Sequence, residues 1–165
     1  MSVYRKSISL TSTGKWPTFH KITDQVQQIV SESGIQNGAV IVYSHHTTCS
    51  VMIQEDGLDI TYNGLDYLQQ DLIDLLEKYI PTCRKEGQYM HPGPKNTKFS
   101  NEHGEDKPGC LNTDAHLRSA IIGRSESIVI MDGKVDLGDF AHIYFADFDQ
   151  TRSRTRAVQV QVIGE

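Results

Sequence analysis

No Cys-x-x-Cys pair occurs in these 165 residues, and the three cysteines, Cys49, Cys83 and Cys110, are odd in number and far apart. Neither a disulfide framework nor a cysteine zinc knuckle is expected, and reduced thiols in a cytoplasmic protein are the natural reading. Long apolar runs are missing as well: nothing approaches a membrane span, and Met1 to Leu10 lacks the apolar centre of a signal peptide. The expectation is a cytoplasmic protein with no membrane partner. There is no excess of basic residues either. A formal net charge of -5 and a pI near 5.8 argue against a general nucleic-acid binder, and no aromatic-basic interleaving is present. Internal repeats and low-complexity segments are absent. What remains suits one domain over residues 1–165 with a real core.

Apolar patterning places the elements. Val3 to Leu10 alternates imperfectly and reads as a first strand. Thr11 to Pro17 is a turn-rich connection. It is not a phosphate-binding loop, because the second glycine and the Lys-Ser/Thr pair are missing. Ile22, Val26, Ile29 and Val30 recur at helical spacing, and Gly34 ends that helix. Ala39 to Ser44 is apolar on both faces and predicts a central strand. After His45-His46-Thr47-Thr48, Cys49 to Ile53 resumes the strand pattern. Alternation points the two histidines apart, grouping His46 with Thr48 and His45 with Thr47 and Glu55; a bulge would reverse the second half, and both groupings stay open. Asp59 to Tyr79 carries a leucine stripe that predicts an amphipathic helix packed on the core. Ser127 to Met131, Phe140 to Phe148 and Ala157 to Ile163 read as strands, with Asp132-Gly133 as a hairpin turn.

Two polar stretches carry more chemistry. Residues 82–110 are broken by prolines and glycines, and a structureless loop of that length is expected to be functional or disordered. It holds His91 and His103, and a lone loop histidine is more often solvated than liganded. Arg152, Arg154 and Arg156 repeat at period two. The expected role is a solvated edge that discourages pairing, with phosphate or carboxylate capture as the alternative.

The richest stretch is Leu111-Asn112-Thr113-Asp114-Ala115-His116-Leu117-Arg118. Thr113 or Asp114 can cap a short helix that Gly123 stops, and a helix start with unpaired N–H groups favours anions. Asp114, His116 and Arg118 put acid, base and cation there together. The plainer alternative is that Asp114 only caps and His116 only faces solvent.

Taken in order, Ser44-His45-His46-Thr47-Thr48, Glu55, Asn112-x-Asp114-x-His116, Ile122-Gly123, Asp132-Gly133, Leu137-Gly138 and the arginine-rich approach to Val162-Ile163-Gly164-Glu165 resemble the YjbQ family, also labelled secondary thiamine-phosphate synthase. The resemblance covers essentially the whole chain. It implies an α+β (mixed α/β) fold, an antiparallel β-sandwich with flanking helices, and a homotrimer. Phe140-Ala141 stands where that pattern has Trp-Gln, Ala146 replaces a common Cys, Gln150-Thr151 replaces Gly-Pro, and the loop before Cys110 is longer.

Carried onto the matching positions, the resemblance implies histidines at His46 and His116, with His103 supplied from the adjoining loop. Three imidazoles with an open fourth position would suit zinc, with magnesium as the alternative ion. Glu55 and Asp114 are then the candidate catalytic carboxylates. Thr47, Thr48, Asn112, Arg118 and Arg154 would hold the ligand. The implied function is a metal-dependent enzyme acting on a small phosphorylated metabolite, with weak thiamine phosphate synthase activity. The alternative is a non-catalytic, metal- or anion-binding trimer.

Overall fold

Every second side chain along three stretches is buried: Val40 and Val42, Ile128 and Ile130, and Val158, Val160 and Val162. Period-two burial gives each stretch one core face, so they lie side by side in a sheet. The computed structural model describes residues 1–105 and 111–165. The strands are β1 (Ser2–Thr11), β2 (Thr18–Lys21), β3 (Gly38–Ser44), β4 (Cys49–Glu55), β5 (Ser125–Met131), β6 (Lys134–Val135), β7 (Ala141–Asp147) and β8 (Thr155–Gly164). The helices are α1 (Thr23–Ser33), α2 (Tyr67–Tyr79), α3 (Pro94–Glu102) and α4 (Thr113–Ile122).

Two antiparallel sheets result, one ordered β1-β8-β3-β5-β6 and the other β2-β7-β4. The small sheet is buried on both faces. Val51, Ile143 and Phe145 look toward the large sheet and share its core with Ile22, Val26, Ile29 and Val30 around α1. Met52, Tyr144, Ala146 and Phe148 look the other way, onto Leu76 and Ile80 around α2 and Ala115 of α4. Each fully buried valine or isoleucine stabilises this arrangement by roughly 1.5–3 kcal/mol relative to exposure. The mixed α+β sandwich with flanking helices is the fold the sequence predicts.

The hairpin turn is at Asp132-Gly133, where φ values of 51° and 74° give the twist that joins β5 to β6. Four details differ from expectation. The second long helix begins at Tyr67, not Asp59, because Asp66 and Gln69 form a reciprocal capping box that fixes its start. Its leucine stripe is only partly core: Leu76 is buried, while Leu68 and Leu75 are exposed. The polar segment after Pro81 holds α3, which starts with Pro94 in its first turn. Finally, β8 lies between β1 and β3, so the arginines leading into it do not guard a sheet edge.

Cys49 and Cys83 are free thiols; Cys110 and the 106–109 part of the long loop lie outside the described residues. Among the described residues, no helix is long and apolar enough to cross a membrane.

Candidate functional site

Two connections pass from one sheet to the other at the same end of the sandwich. His45 to Thr48 leads from β3 in the large sheet to β4 in the small one. Phe148 to Arg154 returns from β7 to β8, and the Phe148 N–H donates to the Thr48 carbonyl at 3.1 Å. The start of α4 lies against both. Together they enclose a pocket of about 280 Å³, walled by the His45–Thr48 turn, Glu105, Asn112, His116, Asp149, Arg154 and Arg156.

Because His45 and His46 sit in a turn, strand alternation does not apply. Their rings lie 4.2 Å apart, centroid to centroid, instead of on opposite faces. Pairing of β8 with β3 ends at Val158 and Ser44. One residue earlier, the Ala157 N–H donates to His46 Nε2 at 3.0 Å. An imidazole that accepts at Nε2 while neutral carries its proton on Nδ1. Burial first, then the neighbouring His45 and Arg156, hold the His46 pKa below the ordinary imidazole value.

His116 projects from the first turn of α4. Burial and the adjacent His91 keep its pKa low, against a hydrogen bond to the Thr47 main chain that favours the charged form. The His91 ring stands edge-on to it at 5.3 Å. Thr113 gives its only hydroxyl proton to the His91 carbonyl at 2.6 Å, so His91 Nδ1–H is the donor in its 3.0 Å contact with Thr113 Oγ1. In the neutral ring this tautomer leaves the lone pair on His91 Nε2.

The charged residues are interlocked. Arg156 is held by Asp147 through Nε at 2.7 Å and Nη2 at 3.2 Å, and it donates to Thr48 Oγ1 at 3.1 Å. Asp149 accepts from the Thr151 N–H and hydroxyl, and more weakly from the Asn112 amide. Glu105 pairs with Arg152 at 2.7 Å and Arg154 at 3.3 Å. Arg154 Nε lies 3.3 Å from Asp149 Oδ2, yet at an angle that makes no hydrogen bond, so this N–H lacks an acceptor among the described residues.

Of the residues singled out from sequence, His46, Thr47, Thr48, Asn112, His116 and Arg154 line this pocket. The others do not. His103 ends α3, stacked on Phe99, with Nδ1 2.7 Å from the Phe99 carbonyl. Glu55 closes β4 opposite Ala141, six residues from Cys49 and hence about 20 Å along the strand. Arg118 is wholly buried; Nε and Nη2 bond Glu77, the Ile80 carbonyl and Thr82, and Nη1 makes no hydrogen bond among the described residues, 3.8 Å from Asp114. Asp114 does not cap α4; it accepts the Cys83 N–H at 3.0 Å, and burial raises its pKa. The helix begins at Asn112 without a side-chain cap.

The expected His46–His103–His116 ion site is therefore not assembled. His46 Nε2 is engaged by the main chain, His103 is elsewhere, and the histidines stand in two separate pairs, His45 with His46 and His91 with His116. Among the described residues, no group of three or more His, Cys, Asp or Glu could hold a metal ion. The described residues do not fit a preformed zinc centre.

Sequence reasoning missed His45, Glu105 and Asp149 as pocket residues and Asp147 as the buried partner of Arg156. The acidic pair flanking Phe148, just ahead of three spaced arginines, is the signal that could have pointed to an interlocked cluster. A larger cavity of about 680 Å³ lies between the segment around His91 and α3. Its charges include Lys98 and Glu102, which pair with each other at 3.8 Å. The smaller pocket is the one that gathers imidazoles and arginines.

Relatives share this whole architecture. A UPF0047 protein of Methanocaldococcus jannaschii is 31% identical over 153 residues, covering 93% of this chain and 90% of the relative. UPF0047 protein YugU of Bacillus subtilis is 28% identical, covering 81% and 82%. A solved YbjQ-like protein of unknown function from Sulfolobus solfataricus superposes with a TM-score of 0.73 at 25% identity, covering 99% of both chains. A solved protein of the YjbQ/UPF0047 family from Clostridium acetobutylicum gives 0.70 at 28% identity, covering 96% of this chain and 99% of its own. The model of the UPF0047 protein YjbQ-like family matches residues 6–165, from the first strand through the two inter-sheet crossings to the last residue, and the chain belongs to that family.

Proposed function

We propose that the pocket between the sheets binds one small phosphorylated or otherwise anionic metabolite, and that His116, with His91 edge-on beside it in the adjoining cavity, exchanges a proton with it. The observation that carries this reading is the division of the pocket's polar atoms. Arg154 lines the pocket and its Nε–H makes no hydrogen bond, while Glu105 is paired with Arg152 and Arg154, and Asp149 is bonded by Thr151 and lies 3.7 Å from Arg156. The neutral His46 ring carries its proton on Nδ1, and the start of α4 adds uncapped main-chain donors. These donors suit an oxyanion. Beside them His116, whose pKa is held down by burial and the adjacent His91, suits a base.

The reaction class that fits is acid–base chemistry on a small anion, an isomerisation or a hydrolysis. Thiamine phosphate synthesis would require a pyrimidine diphosphate and a thiazole phosphate to sit together. A pocket of about 280 Å³ is at the small end for even one ligand. Trimeric assembly is part of the proposal, and exposed Leu68, Leu75, Leu117 and Ile121 on α2 and α4 support it as surface to be covered. Sedimentation equilibrium reads the assembly directly.

Calorimetric titration with inorganic phosphate tests the binding. Arg154→Gln should weaken it by about tenfold or more, since a charge-assisted bond is lost. Equal affinity in wild type and variant overturns the proposal. His91→Asn and His116→Asn should keep phosphate binding and lose turnover across a panel of small phosphorylated substrates. Binding without turnover in wild type would favour the non-catalytic alternative. Elemental analysis of both proteins accompanies the titration. About one zinc per chain, lost in His116→Ala, would replace the acid–base reading with a metal-centred one.

A further inference from the structure

Most cations near the pocket have a carboxylate. Arg118, Arg152, Arg154 and Arg156 are all paired. Lys15 and Arg84 have no carboxylate partner among the described residues, and both line one cavity. It measures about 350 Å³ and lies across Asn112 from the histidine pocket, which shares that residue as a wall. Thr82, Gln150 and Thr151 supply further polar groups to its lining.

Both cations are mounted on braced turns. Lys15 belongs to the glycine-containing turn that is not a phosphate-binding loop by motif. There Thr13 Oγ1 accepts the Lys15 N–H at 3.3 Å and donates to the Trp16 carbonyl at 3.3 Å, while the Thr13 N–H donates to Thr18 Oγ1 at 3.1 Å. Gly14 adopts a φ of +68°, and a Cβ there would lie 2.0 Å from the main chain of Arg152 and Ser153. Only glycine permits this approach, which seats the turn directly on the crossing that carries Arg154. On the other side, Gln88 accepts the Arg84 N–H at 3.0 Å and donates to the Thr82 carbonyl at 2.8 Å. Cys83 is tied to Asp114 beneath them. Rigid backbones thus present two flexible, uncompensated cations to one concavity. The Asp114 carboxylate at its base is already engaged by the Cys83 N–H and lies 3.8 Å from Arg118.

We infer that this second cavity is an anion subsite, in which Lys15 and Arg84 take the phosphate of a substrate whose reacting end lies at His116. It deepens the function proposed above, on which it rests for the substrate's reacting end. The subsite's own affinity for phosphate stands independently. The implied substrate class is a small metabolite with a terminal phosphate, held across the Asn112 wall from the proton-transfer groups.

The test is two-dimensional amide NMR of the full chain titrated with inorganic phosphate, with sodium chloride at matched ionic strength as the reference. Wild type should show saturating shifts at Lys15, Arg84 and Thr151, and a separate set at Thr47 and His116. In Lys15→Ala/Arg84→Ala the first set should weaken by about tenfold or more, with the second set unchanged. Lys15→Arg/Arg84→Lys, which keeps both charges, should restore the first set. Arg154→Gln should do the reverse, weakening only the second. No phosphate-specific shift in the first set, or one that chloride reproduces, overturns the subsite. Loss of the second set alone would overturn the function proposed for the histidine pocket and leave the subsite standing.

Discussion

Arg118 and Arg154 look alike in the sequence, each a cation close to a motif that suggests phosphate. Their surroundings separate them. Arg118 is completely buried under α2 and α4; its Nε and Nη2 go to the Ile80 carbonyl, Glu77 and Thr82, while its Nη1 makes no hydrogen bond among the described residues and lies 3.8 Å from Asp114. Arg154 keeps 26% of its side chain exposed and has an N–H without an acceptor. A cation closed in on every side by its own chain holds the helices in place. A cation that reaches the wall of a pocket can hold something else. The lesson is that coverage, not residue type, marks the binding side of this molecule.

The sharpest way to break that contrast is to remove each arginine and measure stability by urea denaturation. Arg118→Ala should cost about 3–5 kcal/mol, because it leaves buried acceptors and the Asp114 carboxylate uncompensated. Arg154→Ala should cost about 1 kcal/mol or less, as expected of a partly exposed, screened pair. Similar losses in the two variants would mean that the division between scaffold and site is wrong.

A second, smaller effect should appear with pH. His46 and His116 are held below their ordinary value chiefly by burial. Below about pH 6.5 the unfolded chain takes up protons at these rings that the folded chain refuses. Their contribution is therefore complete above that value and is lost as pH falls through the depressed folded values. The melting temperature should drop between about pH 7 and about pH 5, and His116→Asn should make the drop shallower. An identical slope in variant and wild type would show that His116 is not among its sources.

The least effect should come from His103→Ala. Its ring stacks on Phe99 at the end of α3 and does not line the histidine pocket. Stability should change by about 0.5 kcal/mol or less, with phosphate affinity unchanged. A clear loss of affinity would bring His103 back as a ligand.

These outcomes also bear on what a sequence can show. Strands with alternating valines and isoleucines were legible because burial on one face repeats every second residue. β2 was not, since its four residues are only half-covered and carry little alternation. The start of α2 was misplaced because apolar spacing continues through Leu65, whereas the reciprocal bonds of Asp66 and Gln69 decide where the helix begins. For the site, alternation tells which face a residue occupies but not which end of the strand meets other segments. Glu55 lies away from the pocket for that reason, being at the far end of β4. His46, Asn112, His116 and Arg154 line it, each near a break between elements, where chain segments from both sheets converge. Arg118 and Asp114 are equally close in sequence but turn inward, and that depends on α2, which sequence spacing does not place.

One bond ties the chemistry of the pocket to the mechanics of the sheet. At Ala157 an imidazole nitrogen occupies the place where a neighbouring strand would offer a carbonyl oxygen. Unlike a carbonyl, that nitrogen can be switched off, because a proton or an ion on it removes the lone pair. The last rung of the β3–β8 ladder is therefore a titratable one, and the solvent exchange rate of a single amide hydrogen, on Ala157, becomes a gauge of what His46 is bound to.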